Sequence, residues 1–468
     1  MNHLAIIRIL SIIGIWVAGL MLVCGILASA LDQFSNALPF YIAAVLAGPV
    51  GAIILLLTNR PLKRSRAQEG LAVAVLFWVV VPALCAIPFL PLAKGNFIIA
   101  FYESVSCLTT TGHSVLDLGG RPMPASLLIW RAMLHLLGAI AVISMAASVL
   151  AAMNLGGPGV HKSRFFTIPE GSFFDTIPRI VRFTSVMICA VALVLGSMLL
   201  IIGIGPREAL SGAVGAVTTG LVDPNAPFTA PSGGPFHAAL LAIGLIAGTL
   251  GLVVLDLVSR GQFVKVAIDP EVLTFGGVMA VVTILALFAG LPLMQSLGWS
   301  LSSISTSGMA LSDPERMSRL SLVLVLVPVL IGGSALSAAG GVKLGRLIVL
   351  SKRVTKEFVQ LGYRGSVQTF KYRGRRQGER TVMGVWVYLV GYIMATVAGV
   401  LLLSLDNVPF DDCLRATVGS LANAGHIIAE TSEAFGTPAQ MFIILGMILG
   451  RLEVIALIPV LSPSFWSR

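Results

Sequence analysis

Charge is scarce in this chain: Asp, Glu, Lys and Arg make up 11% of its 468 residues, against 56% hydrophobic. A set of soluble domains cannot be drawn from such a composition, so chain length says nothing about domain number. Cysteine is also sparse. Cys24, Cys85, Cys107, Cys189 and Cys413 are odd in number, scattered and mostly inside apolar runs, with no CxxC pair. That excludes a disulfide framework, a structural zinc site and a dithiol redox centre. There is no HExxH, GxSxG or GxxxxGK[ST], and GGPG at 156–159 is a loop signal rather than a phosphate cradle. No acidic or histidine cluster falls at the end of an apolar run, which disfavours an enzyme acting on lipid-linked substrates. The expectation is a non-enzyme with no prosthetic group.

Long apolar runs are what the sequence does have. A spanning helix needs roughly 20 apolar residues, and ten segments qualify: 4–29, 39–58, 71–92, 126–152, 184–204, 236–258, 272–294, 319–351, 383–404 and 437–460. Ala28-Ser29-Ala30 resembles a signal cleavage site. The run before it is longer than the roughly 7–15 residues of a signal peptide core, so a retained helix is expected. The fold class is an all-α polytopic membrane protein.

The net charge of +10 is a topology signal before it is a binding surface. Arg60, Lys63, Arg64 and Arg66 fill one loop; His161, Lys162, Arg164, Arg179 and Arg182 another; Arg260 and Lys265 a third. The densest run joins Lys343, Arg346, Lys352, Arg353 and Lys356 to Lys371, Arg373, Arg375, Arg376 and Arg380. Ten spans place these loops on one face, which the positive-inside rule makes cytoplasmic, together with both termini. The opposite loops carry Asp32, Glu103, Asp117, Asp223, Asp406, Asp411, Asp412, Glu430 and Glu433. This distribution argues against nucleic acid as partner and for the lipid bilayer.

After two leading helices the chain repeats itself four times. Each unit reads as a long helix, a short amphipathic stretch too short to span, and a second long helix; the boundaries are 1–65 for the leading helices, then 66–160, 161–262, 263–380 and 381–468. The short stretches fall near 97–108, 207–217, 298–305 and 411–421. Each ends in a small polar motif: Thr110-Thr111-Gly112, Thr218-Thr219-Gly220, Thr306-Ser307-Gly308 and Asn423-Ala424-Gly425. Polar backbone at membrane depth survives only when buried in protein or lining a watery cavity. Four such loops around one axis can aim rings of carbonyls at a cation, as potassium filters do, with the negative ends of the short helices pointing the same way. Glycine suits inward-facing carbonyls because their backbone angles disfavour a Cβ. The plainer alternative is four unrelated turns, and the recurrence of the motif argues against it. On this reading the four glycines share one ring.

Other polar residues stand out against the apolar background. Arg451 lies within the last apolar run, where an arginine costs roughly 2.5–3.5 kcal/mol on insertion scales. It reads as facing the pore below the filter, the alternative being an ion pair with Glu453. GGSALSAAGG at 332–341 breaks the eighth run, with Gly332, Gly333, Gly340 and Gly341 at its ends and Lys343 just beyond. Such breaks mark ion paths or gates, although small residues also serve helix packing. His113 and His426 each follow a motif glycine and are expected to be solvated at the mouth; histidine is also the natural pH switch. His135 is expected to be a hydrogen-bonded packing residue, and Asp256 an ion-pair partner of Arg260 one turn on.

The stretch FYESVSCLTTTGH followed by LLIWRAMLHLLGAIAV resembles the first pore loop and following helix of the TrkH/KtrB potassium transporters. GGVKLGR (340–346) and GRLEVIALIPVLSPSFW (450–466) are similar to that family's third-repeat and C-terminal signatures, and the two extra leading helices point to its TrkH branch. The resemblance implies potassium uptake across a bacterial inner membrane, a homodimer, and a cytoplasmic nucleotide-binding regulatory ring. It also implies a gate formed by the broken helix and Arg451. The second loop departs from the family by reading TTGLVD, and the fourth by reading NAGH. A sodium-permeable or ion-coupled relative is the competing expectation.

Overall fold

A computed structural model of the chain describes residues 3–32, 34–58, 67–119, 121–147, 173–225, 231–311, 320–363, 371–372, 375–376, 379–431, 435–452 and 462. Outside that range lie the cations 60–66 and 161–164, Arg373, Glu433, Glu453, the GGPG stretch and nearly all of the C-terminal signature after Leu452.

The molecule is a helix array. Among the described residues, eight helices are long and apolar enough to cross a membrane, including His3–Leu31, Ala125–Met145, Gly234–Ser259 and Pro270–Phe288. A lipid core satisfies no backbone hydrogen bonds, so helices that satisfy their own are the form such runs must take. Their outward faces carry bare apolar side chains, among them Trp16, Leu57, Ile201 and Phe288, as a lipid-facing surface requires. Of the last expected span, Thr437–Leu452 lies among the described residues. The eighth is divided into Leu322–Ile331 and Leu344–Gly362.

Several boundaries differ from the sequence expectation. Arg179 and Arg182 belong to the helix Phe173–Ile201 rather than to the preceding loop, because apolar residues keep helical spacing between them. The seventh span stops at Phe288, and Gly290 takes a left-handed turn. The third short helix therefore starts at Leu293 behind Pro292, earlier than expected, since proline opens a helix at no cost in hydrogen bonds.

The four short helices are Phe97–Leu108, Pro206–Thr218, Leu293–Ile304 and Phe410–Leu421. Each is buried over its C-terminal half, and each lies between two other helices of its own unit. Beyond Leu344–Gly362, a two-residue hairpin pairs Lys371 with Arg376 and Tyr372 with Arg375. It leads into Glu379–Ser404, the first helix of the last unit.

A second interrupted helix was not legible in the sequence. Gly251, inside Gly234–Ser259, has φ 69° and ψ −162°, and Gly332, at the end of Leu322–Ile331, has φ 70° and ψ −163°. The second helices of the second and third units thus break with the same backbone. The two breaks lie against each other: Ser334 N donates to Thr249 O at 2.9 Å and Leu252 N to Leu336 O at 2.9 Å.

Candidate ion-path loops at the centre of the array

Just after each short helix one residue turns left-handed: Thr110 (φ 54°), Thr219 (φ 53°), Thr306 (φ 60°) and Asn423 (φ 51°). For threonine this conformation costs energy, so the surroundings must impose it. The next amide then reaches back five residues: Thr111 N to Ser106 O, Gly220 N to Gly215 O, Ser307 N to Ser302 O and Ala424 N to Gly419 O, at 2.7–3.2 Å. These two signatures fix a common register. Thr111, Gly220, Ser307 and Ala424 share one step, and Gly112, Leu221, Gly308 and Gly425 share the next. The expectation that four glycines form one ring is thereby corrected. The second short helix runs one residue further than the others, to Thr218, and its glycine comes one step early.

The loops meet backbone to backbone. A Cβ on Gly112 would fall 2.2 Å from Leu221 O, one on Gly220 2.2 Å from Thr110 O, and one on Gly425 2.3 Å from Thr111 O. Asn423 Nδ2 donates to Thr111 Oγ1 at 3.2 Å and to Met447 O at 2.9 Å, tying the first and fourth loops together. Gly308 lies against the ring of His426. All twelve motif residues that the sequence singled out therefore belong to one buried assembly.

On one side of that assembly sits a buried ion pair, Arg131 with Glu103. Arg131 also donates to Gly112 O at 2.6 Å, Leu221 O at 3.1 Å and Val222 O at 2.7 Å. Glu103 accepts from Ser114 Oγ at 3.0 Å. Glu103 was expected in a loop between spans, and no role was expected for Arg131. Glu103 instead lies in the first short helix and is fully buried. The signal was available, because ionisable residues inside apolar segments mark functional or paired sites.

On the opposite side, Arg451 projects under the first loop. Its Nε donates to Thr109 O at 2.6 Å, its Nη1 to Ala338 O at 2.5 Å, and its Nη2 to Thr110 Oγ1. Among the described residues it pairs with no carboxylate. Ala338 belongs to the interruption of the eighth span, which also meets the third loop through Gly340 N and Thr306 Oγ1 at 3.0 Å. A Cβ on Gly340 would overlap Ala422 O. Lys343, with φ 79°, folds its ammonium back onto Ser337 O at 3.1 Å and onto Ala339 O. Three successive carbonyls of the interruption are thus each taken by a cation. Gly332, Gly333, Gly340, Gly341, Lys343 and Arg451 all come together here.

The histidines differ from expectation. His113 is half-buried and shares a 2.7 Å hydrogen bond between its Nδ1 and the Tyr102 hydroxyl, and His426 is buried rather than solvated. His135 is buried behind Gly220, and among the described residues neither of its ring nitrogens finds a partner. Asp256 and Arg260 form the expected pair at 3.0 Å. A cavity of about 570 Å³ opens above the first two loops, lined by His113, Ser114, Arg121, Leu221 and Asn225. On the exposed loop nearby, the Gly119 amide and then Lys94 hold the Asp117 carboxyl below the usual carboxylate range. The described residues contain no cluster of His, Cys, Asp and Glu fit for a metal. Stacked backbone carbonyls and hydroxyls can strip and hold a monovalent cation.

Residues 263–467 match the TrkH family of cation transport proteins. Over its whole length the chain is 25% identical to the Trk system potassium uptake protein TrkH of Salmonella typhimurium, covering 100% of both. It is 27% identical to the protein of that name from Vibrio parahaemolyticus, over 89% of this chain and 90% of the other. To the Trk system potassium uptake protein TrkG of Escherichia coli it is 24% identical, over 97% and 96%. Its fold is similar to the crystal structure of the potassium transporter TrkH from Vibrio parahaemolyticus, with a TM-score of 0.84, 23% identity and 100% of both chains covered.

Proposed function

We propose that the chain is a multi-pass cation transport protein of the TrkH type and that it carries potassium into the cell through one central pore. The observation that carries this reading is the four loops with a common left-handed step, packed backbone to backbone at the centre of the array. Thr110, Thr111, Gly112, Thr218, Thr219, Gly220, Thr306, Ser307, Gly308, Asn423, Ala424 and Gly425 act as the selectivity filter. The interruption 332–341, held by Lys343 and Arg451, acts as the gate beneath it. Potassium is the cargo, and no prosthetic group takes part. The repeat boundaries 66–160, 161–262, 263–380 and 381–468 describe the four pore units.

The protein works as a homodimer in a bacterial inner membrane with both termini in the cytoplasm. A nucleotide-binding regulatory subunit docks on its basic side. That the similar proteins all belong to a potassium uptake system supports a place for this chain in such a system.

Leu221 favours a second reading, a sodium-permeable transporter, because it stands at a step where the other three loops have glycine. Ion flux through purified protein in liposomes under potassium and sodium gradients tests both. Potassium flux well above sodium flux is expected, along with growth of a potassium-uptake-deficient strain on low potassium. Flux no greater than that of protein-free vesicles overturns the reading, and equal sodium flux moves it to the second.

A further inference from the structure

Glu271 lies in the first turn of Pro270–Phe288, far from the loops in sequence, and only 1% of it is exposed. Its helix start is fixed by Asp269, whose Oδ1 accepts from Glu271 N at 2.9 Å. The two oxygens of its carboxyl group serve two different elements. Oε1 accepts from the Tyr372 hydroxyl at 2.5 Å, and Oε2 accepts from Ser334 Oγ. Tyr372 belongs to the hairpin between the last two pore units; Ser334 belongs to the interruption of the eighth span.

We infer that Glu271 is a positioning residue that ties the 371–376 hairpin to the interruption beneath the filter, so that moving Tyr372 releases the interruption and raises ion flux. This inference rests on the reading of residues 332–341 as a gate in the ion path.

The tie is short and dry. Tyr372 is 1% exposed and packs with Ile348, Val349, Val382 and Val385, so its ring is wedged between the helices on either side of the hairpin. A force on the hairpin therefore has to move Tyr372, and Tyr372 cannot move without giving up Glu271. From Ser334 the path continues inside the interruption. Ser337 Oγ donates to Ser334 O at 2.7 Å, Ala338 O is held by Arg451, and Gly340 N by Thr306 Oγ1. The Tyr372 hydroxyl is thus linked, by hydrogen bonds and the short stretch of backbone between them, to the third and first loops. The hairpin lies in the densest basic run of the sequence, from Lys343 to Arg380, on the side where the proposed function seats a regulatory subunit, so a partner seated on that run would act on Tyr372 first. Nothing in this chain of contacts touches the carbonyls of the upper filter, and so selectivity is separate from it.

The test compares the full-length purified protein with Tyr372→Phe, Ser334→Ala and the double variant. Tyr372→Phe keeps the ring and removes only the donor. Rubidium uptake into liposomes at matched protein levels is expected to rise about tenfold in either single variant, the population change that follows loss of one such hydrogen bond. The double variant is expected to match the larger single, because both act through Glu271, with the rubidium-to-sodium ratio unchanged. Tyr372→Phe uptake within twofold of the parent, or effects that multiply in the double variant, overturns the inference. A second measurement does not depend on conduction. In a Cys189→Ser background carrying Ala335→Cys, a small thiol reagent should label the new cysteine faster when Tyr372→Phe is added. An unchanged labelling rate overturns the tie; a parent protein that passes no rubidium overturns the pore reading and leaves the labelling to decide on the tie alone.

Discussion

Gly112 and Leu221 stand at the same step of two neighbouring loops, and the carbonyls of both accept hydrogen bonds from Arg131. A Cβ on Gly112 would fall 2.2 Å from Leu221 O and 2.6 Å from Leu221 N. Gly112 also has φ 79°, which a side chain resists. Serine at 112 must therefore push the two loops apart at the level of the carbonyls. The expected outcome of Gly112→Ser is a potassium-to-sodium permeability ratio lowered by about tenfold or more, the factor that roughly 1.4 kcal/mol commands. Bi-ionic flux measurements in liposomes read this directly, and an unchanged ratio removes Gly112 from the filter.

The class of the protein, most of its spans and its four loops were legible because hydropathy and motif recurrence are properties of the chain itself. The loop register was not. Thr218-Thr219-Gly220 matches Thr110-Thr111-Gly112 letter for letter, yet the left-handed residue is the second of the three in one and the first in the other. Helix length decides this, and one extra helical residue leaves no mark on composition. The break at Gly251 was hidden for a related reason. A lone glycine in a long apolar run is common in membrane helices, and only contact with the third unit shows what this one does. Glu271 and Tyr372, 101 residues apart, are joined by tertiary packing alone.

The buried pair Glu103–Arg131 supports a prediction about stability. Removing one partner of a buried ion pair strands the other, at about 3–5 kcal/mol. Glu103→Leu should lower the thermal midpoint of the detergent-solubilised protein by several degrees. Arg131→Leu should do so too, and should also disturb selectivity, because Arg131 holds carbonyls of two loops. The double variant Glu103→Leu/Arg131→Leu should be less destabilised than the two single effects combined, since neither charge is then left alone. Additive losses in thermal midpoint contradict the pairing.

Docking of a regulatory subunit on the basic side predicts salt sensitivity. Charge complementarity across a wet interface weakens as the Debye length shrinks from about 10 Å at 0.1 M salt to about 3 Å at 1 M. Reversing Arg373, Arg375 and Arg376 to glutamate should cut co-purification of that subunit at low salt. Binding that is undiminished in the triple variant places the docking surface elsewhere.

Arg451 carries the sharpest prediction about flux. Its guanidinium lies under the first loop and bridges that loop to the interruption through Thr109 O and Ala338 O. In the proposed pore, a fixed positive charge there opposes a cation leaving the filter. Two unit charges about 6 Å apart at an effective dielectric of 20 repel by roughly 2.8 kcal/mol, about a hundredfold in occupancy. Arg451→Ala removes both the charge and the bridge, so potassium flux per molecule should rise. Arg451→Lys keeps the charge but reaches fewer acceptors, so it should change flux far less. The contacts also set what the alanine variant does to the fold. It strands no carboxylate among the described residues, only oxygens that accepted a hydrogen bond, at about 1–3 kcal/mol each if they stay dry. A moderate loss of thermal stability with a clear gain in flux is therefore the expected pair of results. A severe folding defect with no gain in flux per folded molecule would show that Arg451 serves the packing of the array and not the passage of the ion.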